Sequence, residues 1–137
     1  MPIVVMSGQV AQKKKIYEYI YKLSKELGIN RMHKKVLLVN FVTSCDDQAE
    51  GSCWGDMKEG YAEILIARTS CGDKMSHESM MQTLAHEMVH AKQYFRKELC
   101  GYSMSWKGKK PRNYKYENAP WEKEAFAKEE ELWKKCW

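Results

Sequence analysis

The chain has 137 residues, 44% of them hydrophobic, and a formal net charge of +5 at pH 7. This length suits one domain, residues 1–137, that buries about two thirds of its unfolded surface, and it leaves no room for a second. The apolar residues 1–6 are too few for a secretory signal or for the roughly 20 residues of a membrane span, and no later run is long enough, so we expect a soluble protein.

The first half of the chain predicts one helix and two strands. Apolar residues recur at helical spacing between residues 8 and 27, and Gly28 follows, which predicts an amphipathic helix. The almost continuous apolar run from Val36 to Val42 predicts a strand buried on both faces. Glycines and aspartates in residues 45–60 predict a loop, and the alternating segment from Tyr61 to Arg68 predicts a half-exposed strand.

The second half predicts two helices joined by a short hairpin or irregular loop over residues 101–117. The first helix spans about residues 77–98, with Ser76 as N-cap and Glu78 in the first turn. Its packing stripe consists of Met81, Leu84, Met88 and Phe95. The last helix begins near Pro120, with Asn118 or Ala119 at the cap. Its packing positions are Trp121, Ala125, Leu132, Trp133 and Cys136.

The most informative feature is the pentapeptide His86-Glu87-Met88-Val89-His90. Positions i and i+4 of a helix share one face, so both imidazoles can reach one metal ion while Glu87 points toward the same cavity. Because the chain has only 4 histidines in 137 residues, chance would produce such a string roughly 0.01 times. The histidines lie nearly opposite the packing stripe, so their face is not needed for packing and is free for a metal.

A catalytic zinc usually takes three protein ligands and leaves a fourth position for water, so two histidines need a third ligand. The chain has no histidine after His90 and no aspartate after Asp73, so a downstream ligand is a glutamate or Cys100. Glu98 lies roughly 12 Å from His90 by helical rise and cannot share its metal, and Cys100 follows Glu98 too closely. The remaining candidates are Glu117, Glu122, Glu124 and Glu129 to Glu131.

Two of these glutamates lie at the start of the last helix. Glu122 and Glu124 diverge by about 200° around the helix axis, so only one can face the metal. We favour Glu122, because Ala125 gives the small neighbour that two closely packed helices need. Glu124 is the alternative, and the ordinary interpretation is that both are first-turn charges favoured by the helix dipole.

The metal motif, with Trp106-Lys107-Gly108 and the segment from Pro120 to Ala125, resembles small zincin-like metallopeptidases of bacteria and phages, of the gluzincin kind. The last segment is similar to the Glu-x-x-Ala pattern of ImmA/IrrE peptidases, which puts Glu122 in the ligand position. SprT-like proteases have a sequence similar to residues 84–88, but they use a third histidine as a ligand, and that histidine is absent here. Thermolysin-like gluzincins have a histidine-orienting aspartate four residues after the ligand glutamate, where this chain has Phe126.

The resemblance implies an α+β, zincin-like fold with an N-terminal helix, a small sheet and a C-terminal helix that supplies the third ligand. Its edge strand, taken to be Tyr61 to Arg68, would lie over the metal helix and pair with an extended peptide. It also implies a zinc-dependent peptidase acting on a protein or peptide. His86, His90 and Glu122 would hold Zn²⁺, and Glu87 would be the general base.

The oxyanion donor is left open among three tyrosines, Tyr102, Tyr114 and Tyr116. Two other functions also remain open. One is a non-catalytic, zinc-stabilised binding module, in which the metal would carry much of the folding free energy. The other is a SprT-like protease recruited to nucleic acid by the lysine clusters at 13–15, 34–35 and 107–115, although a solvated surface is the favoured interpretation of these clusters.

Five cysteines, at positions 45, 53, 71, 100 and 136, form no Cys-x-x-Cys pair. An odd count without an export signal favours reduced thiols in the cytoplasm. A second metal site formed by Cys45, Cys53 and Cys71 is a minor alternative. We expect a monomer that makes no contact with a membrane.

Overall fold

Three helices and a four-stranded sheet form the part of the chain that this computed structural model describes, namely residues 1–56, 58–100, 105–109 and 118–137. The strands of the sheet are β1 (Ile3–Gly8), β2 (Val36–Val42), β3 (Gly51–Asp56) and β4 (Tyr61–Ala67). The helices are α1 (Lys13–Glu26), α2 (His77–Phe95) and α3 (Pro120–Cys136). Two short strand pairs, β5 (Thr69–Ser70) with β6 (Asp73–Lys74) and β7 (Leu99–Cys100) with β8 (Ser105–Trp106), and a 3₁₀ turn at Asp46–Gln48 are also described. The α+β class is thus confirmed.

The sheet is mixed, with the strand order β1-β2-β4-β3. Strands β1, β2 and β4 run parallel, and β3 pairs antiparallel with β4 at one edge. The prediction that Tyr61 to Arg68 forms the edge strand is therefore wrong, because β4 is flanked on both sides. The edge strand next to β4 is β3, which lies in the segment predicted to be a loop. The strand was not predicted because it contains Gly51, Gly55 and Asp56, and glycine and aspartate are depleted in strands.

The core lies between one face of the sheet and the helices. Alternate residues of β2, Leu37, Val39 and Phe41, are fully buried in a cluster shared with all three helices. The other face of β2 is only half-buried, so the prediction of a strand buried on both faces is wrong. The physical reason is that Leu37, Val39 and Phe41, which share the core cluster with helical residues, all lie on one face of this strand.

The helix bounds differ from the predicted ones where the backbone turns left-handed. Helix α1 begins at Lys13 rather than near residue 8, because Gln12 has a φ of 63°. Helix α2 ends at Phe95 rather than near residue 98. Lys97 has a φ of 58°, and the N–H of Glu98 bonds the carbonyl of Gln93 at 2.8 Å, which closes the helix.

The other boundaries follow the sequence more closely. The Ser76 hydroxyl caps α2 by accepting the N–H of Ser79 at 3.0 Å, as predicted. Helix α3 begins at Pro120 with Ala119 at the cap. Strands β7 and β8 pair antiparallel, and most of the predicted hairpin or loop over residues 101–117 lies outside the described residues. No helix in the described part of the chain has the length and apolar character needed to cross a membrane.

Candidate metal centre

Both histidines of the metal motif lie on α2, one turn apart and buried. The predicted packing stripe is confirmed, because Met81, Leu84 and Met88 are completely buried. The histidine face, however, also takes part in packing, contrary to our prediction: every residue from Leu84 to Phe95 is buried. Helix α3 covers this face, so the two imidazoles lie between two helices.

The third member of the site comes from the first turn of α3. Oε1 of Glu122 lies 3.1 Å from Nε2 of His86 and 2.7 Å from Nε2 of His90. The Glu122 side chain is buried, and Ala125, one turn further along α3, is completely buried at the contact with α2. Such a small residue lets the two helices approach closely, which carries the Glu122 carboxylate to both imidazoles.

These three side chains have the chemistry of a metal site. One possible ligand atom from each lies within 4.8 Å of the others, and all three residues are buried. Two imidazole nitrogens and one carboxylate oxygen are ligands that Zn²⁺ and other divalent transition ions accept. The group could therefore hold a metal ion. Within the described residues, no comparable group forms from Cys45, Cys53 and Cys71.

Glu124, the alternative third ligand, faces away from the imidazoles. Its Oε1 lies 3.0 Å from Nζ of Lys92 and 3.1 Å from Nε2 of Gln93. These partners hold the pKa of the partly buried Glu124 carboxyl below its usual range, although burial alone would raise it. Glu124 thus keeps its charge and pairs with Lys92, while Glu122 joins the histidines.

The second nitrogen of each imidazole also has a partner. Nδ1 of His86 lies 3.2 Å from Oε2 of Glu129, and Nδ1 of His90 lies 2.8 Å from Oε1 of Gln93. Sequence reasoning did not assign either partner. Glu129 follows Glu122 by seven residues and therefore lies on the same side of α3, which is the signal that could have found it. Phe126, between them, packs its ring edge-on at 4.7 Å from that of His86.

Glu87 is buried beside the group but is not one of its members. Burial raises the pKa of its carboxyl to about 7, against a smaller opposing effect of the two histidines. A cleft of about 360 Å³ reaches it, lined by Glu87, His86, Phe126, Glu129 and residues 49–51. Glu87 can therefore exchange a proton with a molecule in the cleft near neutral pH.

The histidines are more basic than burial alone would make them. Burial opposes the charged imidazolium, but hydrogen bonds to Glu122 and the nearby Glu87 outweigh it, so the pKa values of His86 and His90 are raised. Protons and a metal ion compete for the same nitrogens, so acidification should weaken metal binding. The tyrosines considered as oxyanion donors, Tyr102, Tyr114 and Tyr116, lie outside the described residues.

Comparisons of the chain with protein-family models, curated proteins and solved structures gave no match. The fold and the geometry of the site are therefore the basis for a functional proposal.

Proposed function

We propose that this chain is a zinc-dependent metallopeptidase with a zincin-like fold, which hydrolyses peptide bonds in a protein or peptide substrate. One observation carries the proposal. His86, His90 and Glu122 converge at a buried point, while Glu87, outside that group, reaches a cleft that also exposes part of the His86 side chain. This arrangement would keep metal binding and proton transfer on different residues, as hydrolysis requires.

The residues fit the group they would hold. Two histidines and one glutamate are the ligand set of several catalytic zinc sites, in which the fourth position stays open. When bound, the ion would polarise a carbonyl and lower the pKa of a water from 15.7 toward about 7.

Glu87 would perform the proton transfer. Its carboxylate would take a proton from the attacking water and pass it to the leaving amine, first as a base and then as an acid. Burial favours the neutral form of this carboxyl, whereas a nearby cation would favour the charged form, so these two opposing effects suit a group that both takes and gives a proton.

The position of β3 supports a peptide as the substrate. This antiparallel edge strand contacts α2, and Gly51 at its start lines the cleft beside Glu87. An edge strand offers unpaired backbone groups to an extended guest chain. We infer that the substrate pairs with β3 rather than with β4, which the sequence had suggested.

Of the alternatives, a zinc-stabilised binding module would need no path to Glu87, so the cleft favours the enzyme. No described contact favours recruitment to nucleic acid.

Replacing the base tests the proposal. We expect Glu87→Gln to bind zinc as the parent does and to hydrolyse a quenched-fluorescent peptide library about 10²–10⁴ times more slowly. Glu78→Gln, the same change at an exposed residue in the first turn of α2, is the matched control and should retain activity. Parental rates in zinc-loaded Glu87→Gln would contradict the assignment of the base.

A further inference from the structure

Glu129 makes a contact that neither the metal motif nor the proposed proton transfer explains. It lies on α3, seven residues after Glu122, and its side chain is 29% exposed, so water is available to its carboxylate. Even so, Oε2 lies 3.2 Å from Nδ1 of His86. This nitrogen is on the far side of the ring from Nε2, which faces Glu122.

Gln93 contacts the corresponding nitrogen, Nδ1, of His90, and the orientation of the Gln93 amide is fixed. Its Nε2 donates to the carbonyl of Trp121 at 3.0 Å and to Oε1 of Glu124 at 3.1 Å. Both partners are acceptors, so the amide oxygen must face His90. Nδ1 of His90 therefore carries a proton, which it donates to the Gln93 amide oxygen. A metal ion would then take the place of the second proton, the one on Nε2.

The two histidines thus differ in the partner of their outer nitrogen: a neutral amide for His90 and a carboxylate for His86. A carboxylate accepts a stronger hydrogen bond from an imidazole N–H and makes the opposite nitrogen a better electron donor. Phe126 contacts the His86 ring but cannot accept that bond. Among the described residues, Glu129 is placed to do so.

We propose that Glu129 is a positioning residue, which fixes the tautomer and orientation of His86 for metal binding. The inference rests on the metal centre of the proposed function. Glu129 itself does not touch the metal or the reacting atoms. Its carboxylate accepts a hydrogen bond from Nδ1–H of His86, so the ring turns Nε2 toward Glu122 and a metal ion would take the place of the Nε2 proton.

Metal affinity, measured without any substrate, tests this role. We expect Glu129→Ala to weaken zinc binding about 10- to 100-fold in competition with a chromophoric chelator. Glu129→Gln keeps an acceptor without the charge and should fall between the parent and the alanine variant. Glu131→Ala, an exposed glutamate on the same helix, is the matched control and should bind zinc as the parent does.

A merely structural role would give a different pattern. We expect the metal-free Glu129 variants to unfold at the same urea concentration as the metal-free parent. In the zinc-loaded parent, proton and nitrogen NMR should show a downfield-shifted Nδ1 proton on His86, and Glu129→Ala should lose that shift because the hydrogen bond to the carboxylate is gone. The proposal would be overturned if Glu129→Ala and Glu131→Ala bound zinc equally well. It would also be overturned if Glu129→Ala lost enough metal-free stability to account for its weaker zinc binding.

This outcome is separate from that of the peptidase assignment. If Glu129 controls zinc affinity but no peptide is cleaved, the positioning role stands and the proposed function fails. If peptides are cleaved and Glu129→Ala binds zinc as the parent does, the proposed function stands and the positioning role fails. A parent chain that binds no zinc would overturn both.

Discussion

Glu87 shows at the scale of one residue how burial changes the acidity of a side chain. A carboxylate removed from water loses solvation, and the two nearby histidines only partly compensate, so its pKa rises from 4.5 to about 7. The folded chain therefore binds this proton more tightly than the unfolded chain does. Such a group lowers stability at neutral pH, and strongly shifted pKa values of this kind cluster at functional sites.

The pKa of Glu87 gives a prediction for the metal-free protein. Between about pH 4.5 and pH 7 the folded state holds the Glu87 proton and the unfolded state does not, so this group makes stability fall as pH rises. Glu87→Gln removes the effect. We expect the free energy of unfolding of the variant, relative to the parent, to increase by about 3 kcal/mol between pH 4.5 and pH 8, because one pKa unit is worth about 1.4 kcal/mol.

Urea unfolding in the presence of a chelator, repeated across this pH range, measures the difference. His86 and His90 also have raised pKa values and also make stability fall with rising pH. The charge of Glu87 helps to raise them, so Glu87→Gln weakens this effect too and changes the difference in the same direction. Parallel stability curves for parent and variant would mean that Glu87 has an ordinary pKa.

At this scale the sequence predicted the three candidate metal ligands and Glu87, but not the side chains that contact the outer nitrogens of the two histidines. The spacing of His86, Glu87 and His90 on a helix brings them together whatever the rest of the chain does. Only one of Glu122 and Glu124 could face the metal, because they point different ways on a helix, and Ala125 favoured Glu122 as the small neighbour that closely packed helices need. The spacing could show only that Glu129 lies on the same side of α3 as Glu122. Its contact with His86 and the orientation of the Gln93 amide depend on how α3 lies across α2.

At the scale of elements, close packing of β3 on α2 shapes the site. A Cβ at Gly55 would lie 2.2 Å from Cγ of Tyr94, and one at Gly51 would lie 2.6 Å from Cγ2 of Thr83 and 3.4 Å from Cγ of Glu87. Neither position has room for a side chain. These two glycines let the edge strand lie directly against the helix that carries the metal motif.

A side chain at Gly55 should therefore push strand and helix apart. We expect Gly55→Ala to lower the free energy of unfolding by about 1–3 kcal/mol, as overpacking does. Ser52→Ala, on the exposed face of the same strand, should change it little. In a Tyr94→Ala background the cost of Gly55→Ala should shrink, because the clashing ring is gone. Additive losses in the double variant, measured by urea unfolding, would refute the close approach.

Gly51 and Gly55 also explain why strand β3 was not predicted from the sequence. Their role is to leave space, and a sequence pattern registers glycine as a turn signal. Strand β1 was missed for a different reason: residues 3–8 form a short parallel strand whose pairing with β2 involves residues about 33 positions away. Helices α2 and α3 could be predicted, because capping and the spacing of apolar residues are local signals.

At the scale of the whole molecule, α2 is the element on which the sheet, α3 and the cleft converge. One of its faces packs on β3 and β4, and another carries the histidines beneath α3. A metal ion held by His86, His90 and Glu122 would join α2 to α3. The fold thus brings together residues that lie 32 and 36 positions apart in the chain.

The most direct test of this account is a crystal structure of the zinc-loaded protein with anomalous data collected at the zinc edge. We expect one ion at about 2.0–2.1 Å from Nε2 of His86 and His90 and about 2.0–2.2 Å from a carboxylate oxygen of Glu122. Glu87 should remain outside the coordination sphere, with a position open toward the cleft. An ion bound without Glu122, or no ion between α2 and α3, would contradict the account.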